Sequence, residues 1–448
     1  MVILTCFFGI FYIIILSLFL IKKEKEILFN AYNMFIFMFM LIYGFLFPLS
    51  YILTINGYSE QLFISIFKDI NVFDVILYYF IVSIISFCII FVFRRKSNYE
   101  KLNNMFEINA DELKNKIEIN KKHLMITGII LFIIGVVADY LYLKVYGSYE
   151  NYLLYSRALR SGVIIINNPF SFLIIFRGCV TFSSYIFFSL MQCKKKKIFI
   201  SLLFILSFVF SMRIMYSNYG RMSFLIYFLV LIVYYFVLKS KPKYFNLNLI
   251  FKLLVLLLVF IFGIIIMGNI LSRNSTENFI SQINREISFI FVNFFETQKK
   301  LAFEKYRFFI DTINFPIYLL PSSIWMSKLK ILTASDYVTA FIYGGIKGSS
   351  GVYGEMPVDL ITLSFMQFGY ITIGILPVIF SMYFCKLCNL LNKIFVPSAR
   401  LMMSIYIFFV VGVETFFYAD PKHIVSRCFP FIVFIIVYSV IKKVKLER

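Results

Sequence analysis

Charge is scarce in this sequence. Only 15% of its 448 residues are Asp, Glu, Lys or Arg, against 61% hydrophobic, whereas a soluble domain averages about 25% charged and about 45–50% apolar. That scarcity excludes a soluble globule, because a single core stops growing at roughly 250–300 residues. Acidic residues are scarcer still, 23 against 44 basic, for a net charge of +21. In a soluble chain such an excess points to nucleic acid. In a membrane chain it is the bias of cytoplasmic loops, and here the positives gather at the ends of apolar runs, so no nucleic-acid partner is expected. Paired cysteines are lacking too. Cys6, Cys88 and Cys179 fall inside apolar runs, Cys428 has no evident partner, and no second Cys or His pair completes the CxxC of Cys385 and Cys388. Neither a disulfide framework nor a four-ligand metal site is expected. The first apolar run has no basic leader and no small-residue cleavage site, which makes it a retained span rather than a signal peptide. No internal repeat is visible, and with it goes the inverted-repeat pattern of many transporters.

What the chain does have is apolar length. Runs such as 2–21 and 253–271 suffice to cross a hydrocarbon layer of ~30 Å as helices. The expected fold is an all-α integral membrane protein of about eleven spans, near 2–21, 31–54, 73–93, 124–143, 169–191, 198–216, 222–238, 250–271, 358–384, 401–418 and 428–441. Three regions follow: transmembrane helices over 1–271, one large extracytoplasmic loop over 272–357, and further spans with a cytoplasmic tail over 358–448. Every other connection is rich in Lys and Arg. These are Lys22, Lys23 and Lys25; Arg94 to Lys96 with Lys121 and Lys122; Lys194 to Lys197; Lys239, Lys241 and Lys243; Lys386, Lys393 and Arg400; and Lys442, Lys443, Lys445 and Arg448. This alternation puts the N-terminus outside and the C-terminus in the cytoplasm. The mixed-charge inner loop near 94–123 has no motif and reads as a solvated connector. The outer loop breaks the rule with Arg273, Arg285, Lys299, Lys300, Lys305, Arg307, Lys328, Lys330 and Lys347, which long loops are free to do.

The candidate chemistry lies on the outer side. Arg157, Arg160, Arg213, Arg221, Arg273, Arg285 and Arg427 stand at or beyond that boundary, whereas the inner loops carry mostly lysine. The guanidinium fork grips phosphate bidentately. These arginines therefore either hold a lipid-linked pyrophosphate or pair with head groups and acidic side chains. Gly220-Arg221 opens a span against the helix dipole, and a cation so placed beside membrane points to function. Ser275 or Thr276 is a candidate N-cap. Ile283, Ile287, Ile290, Phe291 and Phe294 then recur at helical spacing. That helix either lies in the interface or packs on the outer ends of the spans. A glycine-rich strip from Gly344 to Gly354 closes the loop; it lacks the Lys-Ser/Thr of a phosphate P-loop. It is either plain flexible chain or a glycan-binding strip, with Tyr343, Tyr353 and Trp325 as stacking rings. Glu355 and Asp336 are candidate acid/base groups, joined by His423 in the stretch ETFFYADPKHIVSR, where Glu414 sits at the outer end of a span. Glu355 is the first choice for base, on the expectation that desolvation beside the membrane raises its basicity.

With Gly220-Arg221 opening a span, Pro321-Ser322 within the loop and the glycine-rich strip leading to Gln367-Phe368-Gly369-Tyr370, the chain resembles the Wzy-type O-antigen and capsule repeat-unit polymerases over nearly its whole length. The paired Arg–ten residues–Gly loop pattern of some members is not present. The resemblance implies a metal-independent, cofactor-free glycosyltransferase of the GT-C kind in the bacterial cytoplasmic membrane. It implies transfer of a growing glycan from undecaprenyl pyrophosphate to a new lipid-linked repeat unit. The candidate site residues are Glu355, His423 and Asp336 for catalysis, and Arg213, Arg221, Arg273, Arg285 and Tyr353 for pyrophosphate and glycan. Implied partners are the lipid-linked glycan, membrane lipid, a chain-length regulator and a flippase. An O-antigen ligase shares the layout. A lipid-linked oligosaccharide flippase has short loops and more deep charge than this chain, where Arg177 and Asp139 are the nearest cases.

Overall fold

The fold is taken from a computed structural model, which describes residues 1–22, 31–95, 110–161, 163–164, 168–191, 197–218, 221–240, 279–301, 305–320, 324–325, 329–349, 351–352, 354–391, 394 and 396–444. Among them there is helix and connection but no strand. This is what a bilayer permits, since only internally satisfied backbone crosses it without a closed barrel. Among the described residues seven helices are long and apolar enough to cross a membrane: Phe35–Ile55, Val72–Phe93, Glu118–Lys144, Ser171–Leu190, Ile198–Ser217, Pro397–Phe417 and Pro421–Lys443. The chain is a multi-pass α-helical membrane protein. Shorter apolar helices cover Val2–Tyr12, Ser223–Leu238, Leu360–Ile371 and Ile375–Leu390. The expected span at 250–271 and the caps Ser275 and Thr276 lie outside the described residues.

In chain order the helices are α1 (Val2–Lys22), α2 (Ala31–Phe39), α3 (Leu46–Ile55), α4 (Gln61–Lys68), α5 (Val72–Arg95), α6 (Ala110–Lys144), α7 (Tyr149–Ser161), α8 (Ile174–Leu190), α9 (Lys197–Ser217) and α10 (Arg221–Ser240). They continue with α11 (Phe279–Lys300), α12 (Ile310–Ile313), α13 (Ala334–Tyr343), α14 (Leu360–Phe368), α15 (Ile375–Leu390), α16 (Pro397–Tyr406), α17 (Glu414–Phe417) and α18 (Pro421–Val444). Wide π-turns at Met40–Phe45 and Ile407–Val413 join α2 to α3 and α16 to α17.

Three expectations need correction. The span placed at 358–384 is two helices, broken where Gly369 takes φ +62° and a Cβ would meet the Tyr306 hydroxyl at 2.6 Å. The last span begins at Pro421 rather than near 428: Pro fits a first helical turn, and Asp420 caps it by accepting from Lys422 N at 2.9 Å. The connector near 94–123 is helical from Ala110.

Packing is tightest where α6 crosses α8. A Cβ on Gly135 would lie 2.7 Å from the backbone nitrogen of Val180, so only glycine lets the two helices approach so closely. At the end of the bundle that carries 279–359, called here the loop end, α11 enters the core instead of lying flat upon it. Every residue from Ser288 to Thr297 is buried; Phe291 and Phe295 sit against Phe47 at 5.1 and 5.5 Å between ring centroids, and Asn284 donates to Thr54 Oγ1 and to the carbonyl of Tyr58, both at 2.9 Å. The segment after it is thereby held on a rigid platform.

Candidate active site

Strand-like loops rarely hold reactive groups in place unless something rigid pins them. Here the chain from Glu355 to Asp359 is pinned from several sides. Met356 N donates to Thr339 Oγ1 at 2.7 Å, Asn293 Nδ2 to the carbonyl of Pro357 at 2.6 Å, and Ala419 N to the carbonyl of Val358 at 2.6 Å. Asp359 then caps α14, accepting from Ile361 N and Thr362 N at 2.9 and 3.1 Å. The Tyr43 hydroxyl, from the first π-turn, donates to the Phe416 carbonyl at 2.8 Å and accepts from Leu360 N at 3.1 Å. Elements far apart in sequence thus fix one short strip.

Glu355 emerges from that strip between two lysines and a histidine. Its Oε1 lies 3.5 Å from Lys347 Nζ and 3.5 Å from Lys422 Nζ, and its Oε2 lies 3.9 Å from His423 Nε2. Lys347 arrives through the glycine-rich strip, which is not loose chain here. Gly348 N donates to Val352 O at 2.9 Å and Val352 N to Ser349 O at 2.8 Å, closing a compact turn after Gly344 ends α13 with φ +75°. Lys422 and His423 occupy the first turn of α18, where backbone N–H groups add positive potential. Burial drives the Glu355 carboxyl up, but Lys422, Lys347 and His423 outweigh it and hold it at about 2. The expectation that desolvation makes Glu355 a strong base is therefore corrected. Desolvation acts as supposed, and two neighbouring lysines, with His423 beside them, overturn its effect.

Asp336 stands close enough to feel the charge of Glu355. Burial first, then Glu355, raise its carboxyl. Its direct work is local. In the capping box of α13 its Oδ2 accepts from Thr333 N at 3.2 Å and from Thr333 Oγ1 at 2.9 Å. Asp420, fully buried, accepts from Ser335 N at 2.8 Å and so ties α13 to the start of α18. Trp325 is buried rather than free for stacking; its Nε1 donates to the Leu320 carbonyl at 3.2 Å, and Lys422 Nζ lies 5.5 Å from the ring centroid. Tyr343 stays exposed, its hydroxyl 3.4 Å from Glu60 Oε2.

The structure brings Glu355, His423 and Asp336 together. Of the arginines expected to hold pyrophosphate, Arg213 stacks 4.4 Å over Tyr149, beside a second cluster. There Arg177, 1% exposed, donates to Asp139 Oδ1 at 2.8 Å and to Asn218 Oδ1 and Ser217 Oγ at 3.1 Å, with the rings of Tyr142 and Tyr152 at 4.9 and 5.6 Å. Arg285 lies on α11 near Tyr343, a phenol pushed up to about 12 by burial and Glu60 against the pull of Arg285. Arg427 pairs with Glu414 at 3.0 Å. Arg307 forks onto Asp311 with two bonds of 2.6 Å. Only the backbone of Arg221 is described, while Arg273 and Tyr353 lie outside the described residues. Sequence reasoning missed Lys422, Asp420, Tyr43, Asn293 and Asp359; the Asp-Pro-Lys at a helix start was the one available signal. Among the described residues no group of His, Cys, Asp and Glu is arranged to hold a metal. No protein-family model, curated protein or solved structure matches the chain.

Proposed function

We propose that the chain is a polymerase that joins lipid-linked oligosaccharide repeat units of a surface polysaccharide, O-antigen or capsule, at the outer face of the bacterial cytoplasmic membrane. One observation carries the reading: Lys347, Lys422 and His423, from two separate stretches of chain, converge at the loop end on the Glu355 carboxylate, at 3.5–3.9 Å. In this reading the chain has about eleven spans in a GT-C-like arrangement, with the N-terminus and the loop end outside and the C-terminus in the cytoplasm. The acceptor sugar hydroxyl attacks the anomeric carbon of the donor glycan. The bond from that carbon to the diphosphate oxygen breaks, and undecaprenyl diphosphate leaves with the electron pair. The lysines offset the charge that grows on the leaving diphosphate. The acceptor proton passes to the Glu355–His423 pair. Arg221 and Arg273 are proposed to hold the donor at head-group height. The partners are the lipid-linked glycan, surrounding lipid, a chain-length regulator and a flippase.

The test is the polysaccharide profile of a deletion strain. Loss of the ladder, leaving glycan of a single repeat, is the expected result. Lipid-linked polymer that accumulates without reaching the surface assigns the chain to ligation instead, and an unchanged ladder sinks both assignments.

A further inference from the structure

Four features of the Glu355 cluster go unused by a purely structural ion network. The contacts from Glu355 to Lys347, Lys422 and His423 are long, 3.5 to 3.9 Å, where direct charged hydrogen bonds run ~2.7–2.9 Å. The carboxylate therefore sits between two lysines and a histidine at the outer limit of hydrogen bonding. All four side chains stay partly open to solvent, 19% for Glu355 and 25, 29 and 33% for Lys347, Lys422 and His423. The backbones that carry the three neighbours are held independently of Glu355: Lys422 by the Asp420 cap, with its ammonium 5.5 Å from the Trp325 ring centroid, His423 by its N–H bond to Asp420 O at 2.9 Å, and Lys347 by the bonds of Gly348 N to Val352 O and Val352 N to Ser349 O. Finally, Glu355 lies between Gly354, whose φ of +119° side-chain-bearing residues rarely adopt, and the pinned residues 356–358.

We infer that Lys347, Lys422 and His423 form a diphosphate site whose resting occupant is the carboxylate of Glu355, so that a bound diphosphate must displace it. The inference rests on the polymerase reading for the source of the diphosphate, but the site itself is defined by geometry. A diphosphate offers more oxygens than a carboxylate and fills the space that the long contacts leave. Its arrival takes both lysines from Glu355 and sets fresh negative charge beside it, and each change makes the freed carboxylate a better proton acceptor. Binding of the donor and readiness of the base become one event.

The experiment uses the full chain in detergent micelles, titrated calorimetrically with inorganic pyrophosphate, farnesyl diphosphate and phosphatidylglycerol. Glu355→Gln is expected to bind pyrophosphate about tenfold more tightly than the unaltered chain, the worth of about one charge-assisted bond regained. Lys347→Gln and Lys422→Gln are expected to weaken it by about tenfold or more on the same scale. Farnesyl diphosphate should follow the same order, and phosphatidylglycerol, a single phosphodiester, should not compete. Equal or weaker binding by Glu355→Gln overturns the inference, since Glu355 then serves only to order the lysines. Should that variant fail to fold, Glu355→Asp, which draws the carboxylate back, must still bind more tightly. Phosphatidylglycerol competing as well as farnesyl diphosphate makes the site a head-group site and overturns it too. Polysaccharide ladders of the same variants report separately. Tighter binding in Glu355→Gln together with a normal ladder in Lys422→Gln cells keeps the site and sinks the polymerase reading. Shortened ladders with unaltered binding sink the site and keep the polymerase.

Discussion

Replacing Asp139 with asparagine removes one partner of the deepest ion pair described and tests whether that pair is structural or functional. Ionisable groups within membrane spans mark transport or proton pathways by default, so the pair bears directly on the flippase alternative. Its geometry argues for a clasp. Arg177 ends with bonds to Asp139, Asn218 and Ser217 and two aromatic rings over its guanidinium, and so draws together α6, α8 and the end of α9. Removing one member leaves a buried charge without its counter-charge, at a cost of about 3–5 kcal/mol. Removing both, as in Arg177→Met with Asp139→Leu, costs Asn218 and Ser217 one bond each, at most about 1 kcal/mol apiece, since Asn218 keeps the Tyr152 hydroxyl and Ser217 the Ile214 carbonyl. The double variant should therefore be more stable than either single one by about 1–3 kcal/mol. Equilibrium unfolding in mixed micelles titrated with sodium dodecyl sulfate gives the comparison, and polymer made per folded molecule gives the function. A double variant that folds well but makes no polymer refutes the clasp and assigns the pair a working role.

Further outcomes follow from other sites. Gly135→Ala should destabilise the bundle by about 1–3 kcal/mol, and Val180→Ala should not rescue it, because the closer obstacle that remains is the Val180 backbone nitrogen at 2.7 Å; full rescue would show that side-chain crowding alone matters. Glu355 has a folded-state value of about 2 against an ordinary 4.5. Its stabilisation is present above about 4.5 and lost as pH falls towards 2. The thermal midpoint should drop over that window, and less so in Glu355→Gln; equal drops would remove Glu355 as the cause. Arg221→Ala and Arg273→Ala should shorten or abolish polymer at unchanged protein abundance, with Arg→Lys restoring only part because the fork is lost; full ladders from both alanine variants would contradict their proposed grip. Cysteines placed at Ser275 and Asn103 in a chain cleared of its own should react with an impermeant reagent in intact cells only at 275; labelling at 103 alone would invert the proposed orientation.

The spans were legible because a long apolar run can do little else in a bilayer. The break at Gly369 was not, since a hydropathy window averages composition and is blind to a backbone at φ +62° wedged against Tyr306. The start of α18 was misplaced because Lys422, His423 and Arg427 dilute its first turns, although Asp420-Pro421 spelled the cap. Glu355, His423 and Asp336 could be named from local chemistry. That Lys422 faces Glu355 across 67 positions is a fact of tertiary contact, and without it the basicity of Glu355 was argued from burial alone. For the arginines the sequence left two readings open, phosphate or an acidic partner, and only tertiary contact shows Arg427 paired with Glu414 and Arg213 stacked on Tyr149.

The two π-turns, at Met40–Phe45 and Ile407–Val413, each hold one residue more than an α-helix needs. Such a turn absorbs a change of chain length without turning the helix beyond it, whereas a deletion elsewhere in a span rotates everything downstream by about 100°. Removing Leu41 should therefore leave Phe35, Phe39 and Phe47 facing inward as before. It would also flatten the bulge from which Tyr43 reaches Leu360 and Phe416. These are places where the chain can lose a residue and still assemble while the strip beneath Glu355 comes loose, so single-residue deletions here separate the capacity to fold from the capacity to act.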